Sequence, residues 1–334
     1  MNMQEHSVWL WIGFGTIIAF MMALDLGLLN RKAHIPSFKE SATWSAIWVT
    51  LALLFAGVIF WHLGNIKGLE FLTGYVIELS LSVDNLFVFL LLFSYFRVPA
   101  KYQHRVLFWG VLGALVMRVT IILLGTALIS RFHWVLYVFG AFLIYTGIKM
   151  LVQEDEQLDP EESSVVRLVT RFVPITRHYE EDKFFTVVNG RRTGTLLFLV
   201  LVIVEVTDLV FAVDSIPAIF GVTTDFFIVF TSNVFAILGL RTLFFLLARV
   251  IDKFHYLKVG LALVLTMIGV KMLTETLLLK VMNKYTLIVV SLCSVAAILG
   301  TSVLASIIWP EKPEADVDIE VAVDIDGSFE DVKN

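Results

Sequence analysis

The chain has 334 residues, of which 58% are hydrophobic, 13% aromatic and only 16% charged, with a mean hydropathy of +0.85. Soluble domains carry about 25% charged and about 45–50% apolar residues, so this composition excludes a cytosolic enzyme, a disordered chain and a disulfide-stapled secreted module. The apolar residues come in unbroken runs, not in alternation, which also excludes a transmembrane barrel and leaves an all-α polytopic membrane protein.

The net charge of −5 is unevenly spread. Residues after Pro310 hold nine acids and two lysines, which sum to −7, so residues 1–310 sum to about +2. The acidic balance belongs to a tail and implies no partner for the body, nucleic acid included. Cys293 is the single cysteine and allows neither an internal disulfide nor a thiolate cluster. The first segment lacks a basic n-region and is too long for an h-region, so no cleavable signal peptide is expected.

A bilayer core about 30 Å thick needs roughly 20 apolar residues. Nine stretches reach that length: 7–29, 43–63, 69–96, 105–129, 132–152, 194–220, 226–250, 256–280 and 284–308. The loops between them fall into two alternating sets, one with 17 basic residues and the other with four, Lys67, Arg131, Lys280 and Lys284. The richer set is expected to face the cytoplasm, with the N-terminus outside and the C-terminus inside.

The segment 153–193 is the largest piece outside the spans, a cytoplasmic loop of about 40 residues, too small for an independent catalytic domain. It opens with six acids between Glu154 and Glu162, continues as an amphipathic helix near 163–173, and closes on an apolar run before Asn189-Gly190, a hairpin turn pair. It is read either as a surface for a cytoplasmic protein partner or as a solvated linker. Residues 309–334 read as an acidic disordered tail.

An internal repeat organises the spans. Val76–Asn85 resembles Val206–Ser215, setting Glu78 against Asp208 and Asp84 against Asp214. The next span carries Arg118 in one copy and Arg241 in the other, and the third carries Gly-x-Lys-Met around Lys149 and around Lys271. Spans 3–5 (69–152) and 6–8 (194–280) therefore read as two copies of a three-helix unit, flanked by spans 1–2 (7–63) and span 9. An odd number of spans per unit makes the copies inverted, a plan in which a polar site lies between the copies near the midplane.

Ten ionisable side chains inside the spans are singled out: Asp25, Glu78, Asp84, Glu205, Asp208, Asp214, Arg118, Lys149, Arg241 and Lys271. Each costs roughly 2.5–3.5 kcal/mol at a helix centre, so they must face one another, a cation or water. Six acids against four bases leave −2, the charge that one divalent cation or two protons would neutralise. All seven histidines lie in loops or at span ends, so imidazole and thiolate ligation of zinc, copper or nickel is not supported. Carboxylate, amide and hydroxyl oxygens suit manganese, calcium or magnesium.

Glu78, Asp84, Asp208 and Asp214 are the candidate metal ligands, with Asp25, Ser82, Asn85, Glu205 and Ser215 as further candidates and Arg118, Arg241, Lys149 and Lys271 as counter-ions. Glu78, Ser82 and Asn85 share one helical face, and Asp84 stands about 120° from it. For all four acids to meet one ion, each helix must be distorted near its aspartate, which Pro217 makes feasible in the second copy. The alternative for each carboxylate is a purely structural ion pair with an arginine.

Four segments, Phe71–Glu78 with Ser82–Asn85, Glu205–Asp208, Phe211–Ile219 and Thr231–Arg241, resemble the TerC family of integral membrane proteins, closest to its alkaline-inducible Alx branch. The resemblance covers about residues 7–308. It implies a bacterial inner-membrane protein of the lysine-exporter-like superfamily, in a family implicated in manganese export, metal homeostasis, tellurite resistance and membrane protein quality. The expectation is then a secondary exporter of divalent cations, Mn²⁺ favoured over Ca²⁺ or Mg²⁺, with proton exchange as a coupling route and no tightly bound cofactor. Membrane lipid and a second copy of the chain are further expected partners. The rival is a membrane scaffold or sensor without transport, and an intramembrane hydrolase is disfavoured because no midplane histidine or Gly-x-Gly-Asp element is present.

Overall fold

In hydrocarbon every backbone N–H and C=O has to be satisfied within its own segment, so a long apolar stretch folds as a continuous helix. The computed structural model describes residues 8–29, 37–152, 164–176, 179–180, 182–188, 190–248 and 256–309; within these, the side chains of 24–29, 84, 87, 164, 165, 168 and 241 are not described. The helices are α1 (Val8–Leu29), α2 (Phe38–Leu63), α3 (Asn65–Tyr95), α4 (Ala100–Arg131), α5 (Val135–Val152), α6 (Ser164–Phe172), α7 (Leu196–Phe220), α8 (Phe226–Leu247), α9 (Leu257–Val281) and α10 (Lys284–Ile308). Strands β1 (Phe185–Val188) and β2 (Arg191–Gly194) form one hairpin.

Among the described residues, seven helices are long and apolar enough to cross a membrane: α2, α3, α4, α5, α7, α9 and α10. α1 and α8 carry shorter apolar stretches, Val8–Ala23 and Phe226–Leu240. Four of the helix starts, those of α2, α7, α8 and α10, carry side-chain caps. Ser37 and Glu40 form a reciprocal capping box, which begins α2 five residues before the apolar run at 43. Thr195, Asp225 and Asn283 accept backbone N–H bonds at the starts of α7, α8 and α10.

Packing sets the chain directions. The C-terminal half of α3 (Leu86, Phe89, Phe93) meets the N-terminal halves of α4 (Val106, Leu107) and α7 (Val200, Val204) and the C-terminal half of α8 (Phe244) in one apolar layer. Thus α3 runs antiparallel to α7, and α4 antiparallel to α8. Between the triplets α3–α5 and α7–α9 the packing is reciprocal: α3 lies on α8 and α4 on α7, while α5 lies on α9. Trp11, Phe14 and Phe55 join the rings of Phe227, Phe230 and Phe235, fastening α1 and α2 onto α8.

The α5–α9 crossing depends on glycine. A Cβ at Gly269 would lie 2.6 Å from the Gly140 carbonyl oxygen, and one at Gly147 would strike the Ala262 carbonyl, also at 2.6 Å. Small residues let helices approach closely where dispersion, not water exclusion, holds them together.

On the basic side, the segment before α7 docks against helix ends. The Tyr179 hydroxyl donates to the Phe96 carbonyl at the end of α3 (2.7 Å), Arg105 of α4 pairs with Asp182, and the Arg105 guanidinium covers the Phe184 ring. Burial pushes the Tyr179 phenol above its ordinary value, so it stays a donor. The amphipathic helix and the hairpin expected in this loop are α6 and β1–β2; the acidic stretch 154–162, Asn189 and the tail 310–334 lie outside the described residues.

Gly269→Leu is expected to cost about 1–3 kcal/mol through overpacking and to lower the melting temperature of the detergent-purified protein. Gly57→Leu, where nothing lies within 4 Å, should leave it unchanged. Equal shifts would refute the close α5–α9 crossing.

Candidate functional site: a buried arginine between two carboxylates

Glu78 stands near the middle of α3, Arg118 near the middle of α4 and Asp208 at the centre of α7. All three are withdrawn from solvent, with 0%, 1% and 3% of their surface exposed. Arg118 Nη1 donates to Glu78 Oε1 and to Ser215 Oγ, the latter at 3.0 Å. Nη2 lies 3.6 Å from Asp208 Oδ1, an ion pair longer than a hydrogen bond. Helical spacing makes this possible. Glu78 and Asn85 stand at i and i+7 on α3, as Asp208 and Ser215 do on α7, so each helix turns one polar stripe inward. Ser82 and Asn85 are buried on the α3 stripe.

The cluster is far from saturated. Among the described residues, Glu78 Oε2, Asp208 Oδ2, Ser82 Oγ, and Arg118 Nε and Nη2 are buried without a hydrogen-bond partner. Each such atom costs about 1–3 kcal/mol, more for charged groups. Asn233 of α8 is wholly buried, and among the described residues neither amide atom has a partner. Glu205, one turn before Asp208, packs its carboxylate over Gly113 of α4 and leaves Oε2 buried and unpartnered.

Two expectations require correction. α7 runs unbroken from Leu196 to Phe220 with Pro217 inside it, so Pro217 does not open the helix to bring Asp214 round towards Asp208. Asp214 consequently faces α5, where it accepts a bond from Thr146 Oγ1 (3.3 Å), apart from the Arg118 cluster. Lys271 is not a counter-ion of these acids: its ammonium donates to the Gly221 carbonyl just past the end of α7 (3.2 Å). Lys149 is exposed one turn beyond Thr146. The side chains of Asp25, Asp84 and Arg241 lie outside the described residues. Among the described residues, no group of three or more His, Cys, Asp or Glu is gathered to hold a metal ion.

Glu70 is not among the six carboxylates singled out in the sequence, although it is the second residue of the third apolar stretch. It is wholly buried, accepts from Thr223 Oγ1 (2.7 Å), and pairs with Lys67 (3.1 Å) and Lys284 (2.9 Å). Lys67 also reaches Asp225 (2.6 Å). The available signal was the Lys67–Glu70 spacing of three at a helix start. Above this network opens a cleft of about 810 Å³, lined by Trp11, Lys67, His133, Asp225, Glu275 and Lys284 among others. Phe220, stacked on Phe139 and pressed against Gly125, closes its floor. The Arg118 cluster thus lies between two apolar layers. Ile122, Ile216, Ile219 and Phe220 stand on the cleft side, and Phe89, Val200, Val204 and Phe244 on the other.

A polytopic helical membrane protein with a cluster of ionisable side chains buried at its centre is the class that this geometry defines. The chain belongs to the TerC family: the model of the integral membrane protein TerC family matches residues 63–314. It is 52% identical over 310 residues, 92% of this chain and 95% of the relative, to the uncharacterized membrane protein STKORF319 of Myxococcus xanthus. It is 51% identical over 273 residues, 79% and 85% of the two chains, to the putative membrane-bound redox modulator Alx of Escherichia coli. The putative redox modulator Alx of Photorhabdus laumondii is 45% identical over 316 residues, 92% and 96% of the two chains. No solved structure matches the chain.

Removing one side of a buried ion pair costs about 3–5 kcal/mol, and losing one hydrogen bond to a charged group about 1.5–3 kcal/mol. Glu78→Ala should therefore destabilise the protein more than Ser215→Ala, read as unfolding free energies in bicelles. The reverse order would show that Glu78 is not the principal partner of Arg118.

Proposed function

We propose that the protein is a secondary transporter that exports divalent metal cations, with Mn²⁺ favoured and protons as the exchanged ion. The observation that carries this reading is the pair Glu78 and Asp208. Each is buried at mid-helix, each directs one oxygen at the same guanidinium, and each keeps a second oxygen without a protein partner. Buried charges of this kind in a membrane are expensive and mark ion routes or proton relays. With Ser82, Asn85 and Glu205 beside them the donors are all oxygen, the set preferred by Mn²⁺, Mg²⁺ and Ca²⁺. Asn233 adds an amide of the same character.

In this reading Glu78 and Asp208 are the inner ligands. Asp214, with Thr146, is a separate station on the α5 side, and not a fourth ligand of the same ion. The cleft over Phe220 is the exit on the side poor in basic residues. That side faces away from the cytoplasm in a bacterial inner membrane, and the α6–hairpin loop lies within. Antiparallel α3 and α7 supply the two halves of an alternating-access pair.

The redox role in the names of the Alx relatives finds little chemistry to draw on in this chain. Cys293 is its single cysteine, and a disulfide relay needs two. A second reading, a membrane framework without transport, is favoured by one observation: Arg118 already engages both carboxylates, as a structural ion triad would.

Everted membrane vesicles separate the two. Asp208→Asn is expected to abolish Mn²⁺ uptake while the protein still inserts, and Asp214→Asn to reduce it more weakly. Uptake by Asp208→Asn equal to wild type would remove the transporter reading. Deleting residues 164–188 should spare part of the flux, whereas a framework protein would lose its phenotype.

A further inference from the structure

We infer that Arg118 is the resident counter-cation of the unloaded site, the charge that lets the empty carrier change its facing. The inference rests on the transport reading above and adds a step that reading leaves open: how a site with two carboxylates crosses back when the exchanged protons do not fill both.

Arg118 is suited to this by type and by placement. A guanidinium stays charged at any physiological pH, so it cannot relieve its own burial by losing a proton. Among the described residues it is the basic side chain that reaches the cluster; Lys149 is exposed, and Lys271 is engaged with the Gly221 carbonyl.

Its bonding is also lopsided. One terminal nitrogen serves both Glu78 and Ser215, the other stands 3.6 Å from Asp208, and Nε and Nη2 make no hydrogen bond. A structural clamp of arginine on carboxylate uses the bidentate fork, two parallel bonds to one partner. Here the guanidinium is held along one edge by α3 and α7 together and faces Asp208 loosely. A cation entering against the free oxygens of Glu78 and Asp208 displaces only the weaker half of that contact.

Charge arithmetic gives the arrangement its use. Glu78, Asp208 and Arg118 sum to −1 when empty and to +1 with a dication bound, two states of equal magnitude. Without the arginine the same site holds −2 when empty and zero when loaded. The penalty for burying charge rises with its square in a continuum of low polarity, so losing Arg118 penalises the empty carrier and spares the loaded one. Counting Glu205 as ionised lowers every value by one. The empty site then goes from −2 to −3 on losing Arg118 and the loaded site from zero to −1, and the larger penalty still falls on the empty carrier. Arg118 therefore matters most for the return step.

The test is made on the full chain in liposomes with Mn²⁺ as the probe. Net accumulation into Mn²⁺-free vesicles requires the empty return; exchange of labelled for unlabelled Mn²⁺, present on both sides, does not. In Arg118→Gln, net accumulation is expected to slow by about a hundredfold, the factor set by one uncompensated charge at a helix centre. Exchange should slow too, because Arg118 touches both ligands, but by no more than about tenfold, so that the net flux falls clearly further. Arg118→Lys keeps the charge but offers a point donor instead of a fork. It should show the same split at reduced size, and it carries the test if Arg118→Gln fails to reach the membrane. Net flux and exchange falling in parallel, or neither falling, overturns the inference while wild-type transport stands. A wild-type protein inert in both assays removes the transport reading, and this inference with it.

Discussion

A guanidinium and two carboxylates can remain ionised in the middle of a membrane protein only if they stay together. Separated, each would bear the cost of leaving water. Joined, their attraction is strong because little solvent screens it, yet even a well-made buried triad only roughly offsets that cost. This constraint reaches through the fold. It fixes the relative register of α3, α4 and α7 at their midpoints, since Glu78, Arg118 and Asp208 must arrive at one depth. It requires that the polar stripe of each helix face inward, and that the apolar layers above and below keep water out.

The two ends of the bundle are secured by weaker means. On the cleft side Glu70 is wholly buried, whereas its partners Lys67 and Lys284 keep 29% and 53% of their side chains exposed. Water therefore solvates the lysines and screens part of the attraction. What ties the start of α3 to the α7–α8 turn and to α10 is as much the Thr223 bond as the ion pairs. On the basic side, the Tyr179 bond to a helix-end carbonyl and the Phe184 contact with Arg105 hold the hairpin segment over the ends of α3 and α4. The polar cluster is thus closed off from both sides in this conformation. A carrier that alternates must at some point pass through such a state.

Placing Asp208 and Asp214 in different surroundings changes the chemistry open to the family motif. Six residues along a regular helix amount to a rotation of about 240° beyond one full turn, so one aspartate faces α4 and the other α5. A single four-carboxylate cage would hold a dication tightly and release it slowly. In the transport reading proposed above, two stations of fewer ligands each, one charge-compensated by an arginine and one hydrogen-bonded by a hydroxyl, would bind more weakly and suit transfer from one to the next.

Much of this was legible in the sequence because membranes impose simple rules. Run length alone located the long helices to within a few residues, and the Gly190 turn after an apolar run marked the hairpin. The motif pairing Glu78 with Asp208 singled out two acids that do share one site. The inward face carrying Glu78, Ser82 and Asn85 followed from periodicity. The sequence could not say which arginine serves which acid, because ion pairs between helices depend on packing angles that no local pattern encodes. The opening of α7 expected at Pro217 did not occur, and the helix continues to Phe220. Pro217 lacks the N–H that would bond to the Val213 carbonyl, and the side-chain packing of Ile216, Ile219 and Phe220 keeps the last turns helical despite that loss. Glu70 went unnoticed because its partners lie 153 and 214 positions further along the chain. Composition and periodicity determined that the chain is a helical membrane protein with charges inside it. Only the tertiary structure decided that Arg118 stands between Glu78 and Asp208 and that Asp214 stands apart, because side chains distant in sequence meet only when helices pack.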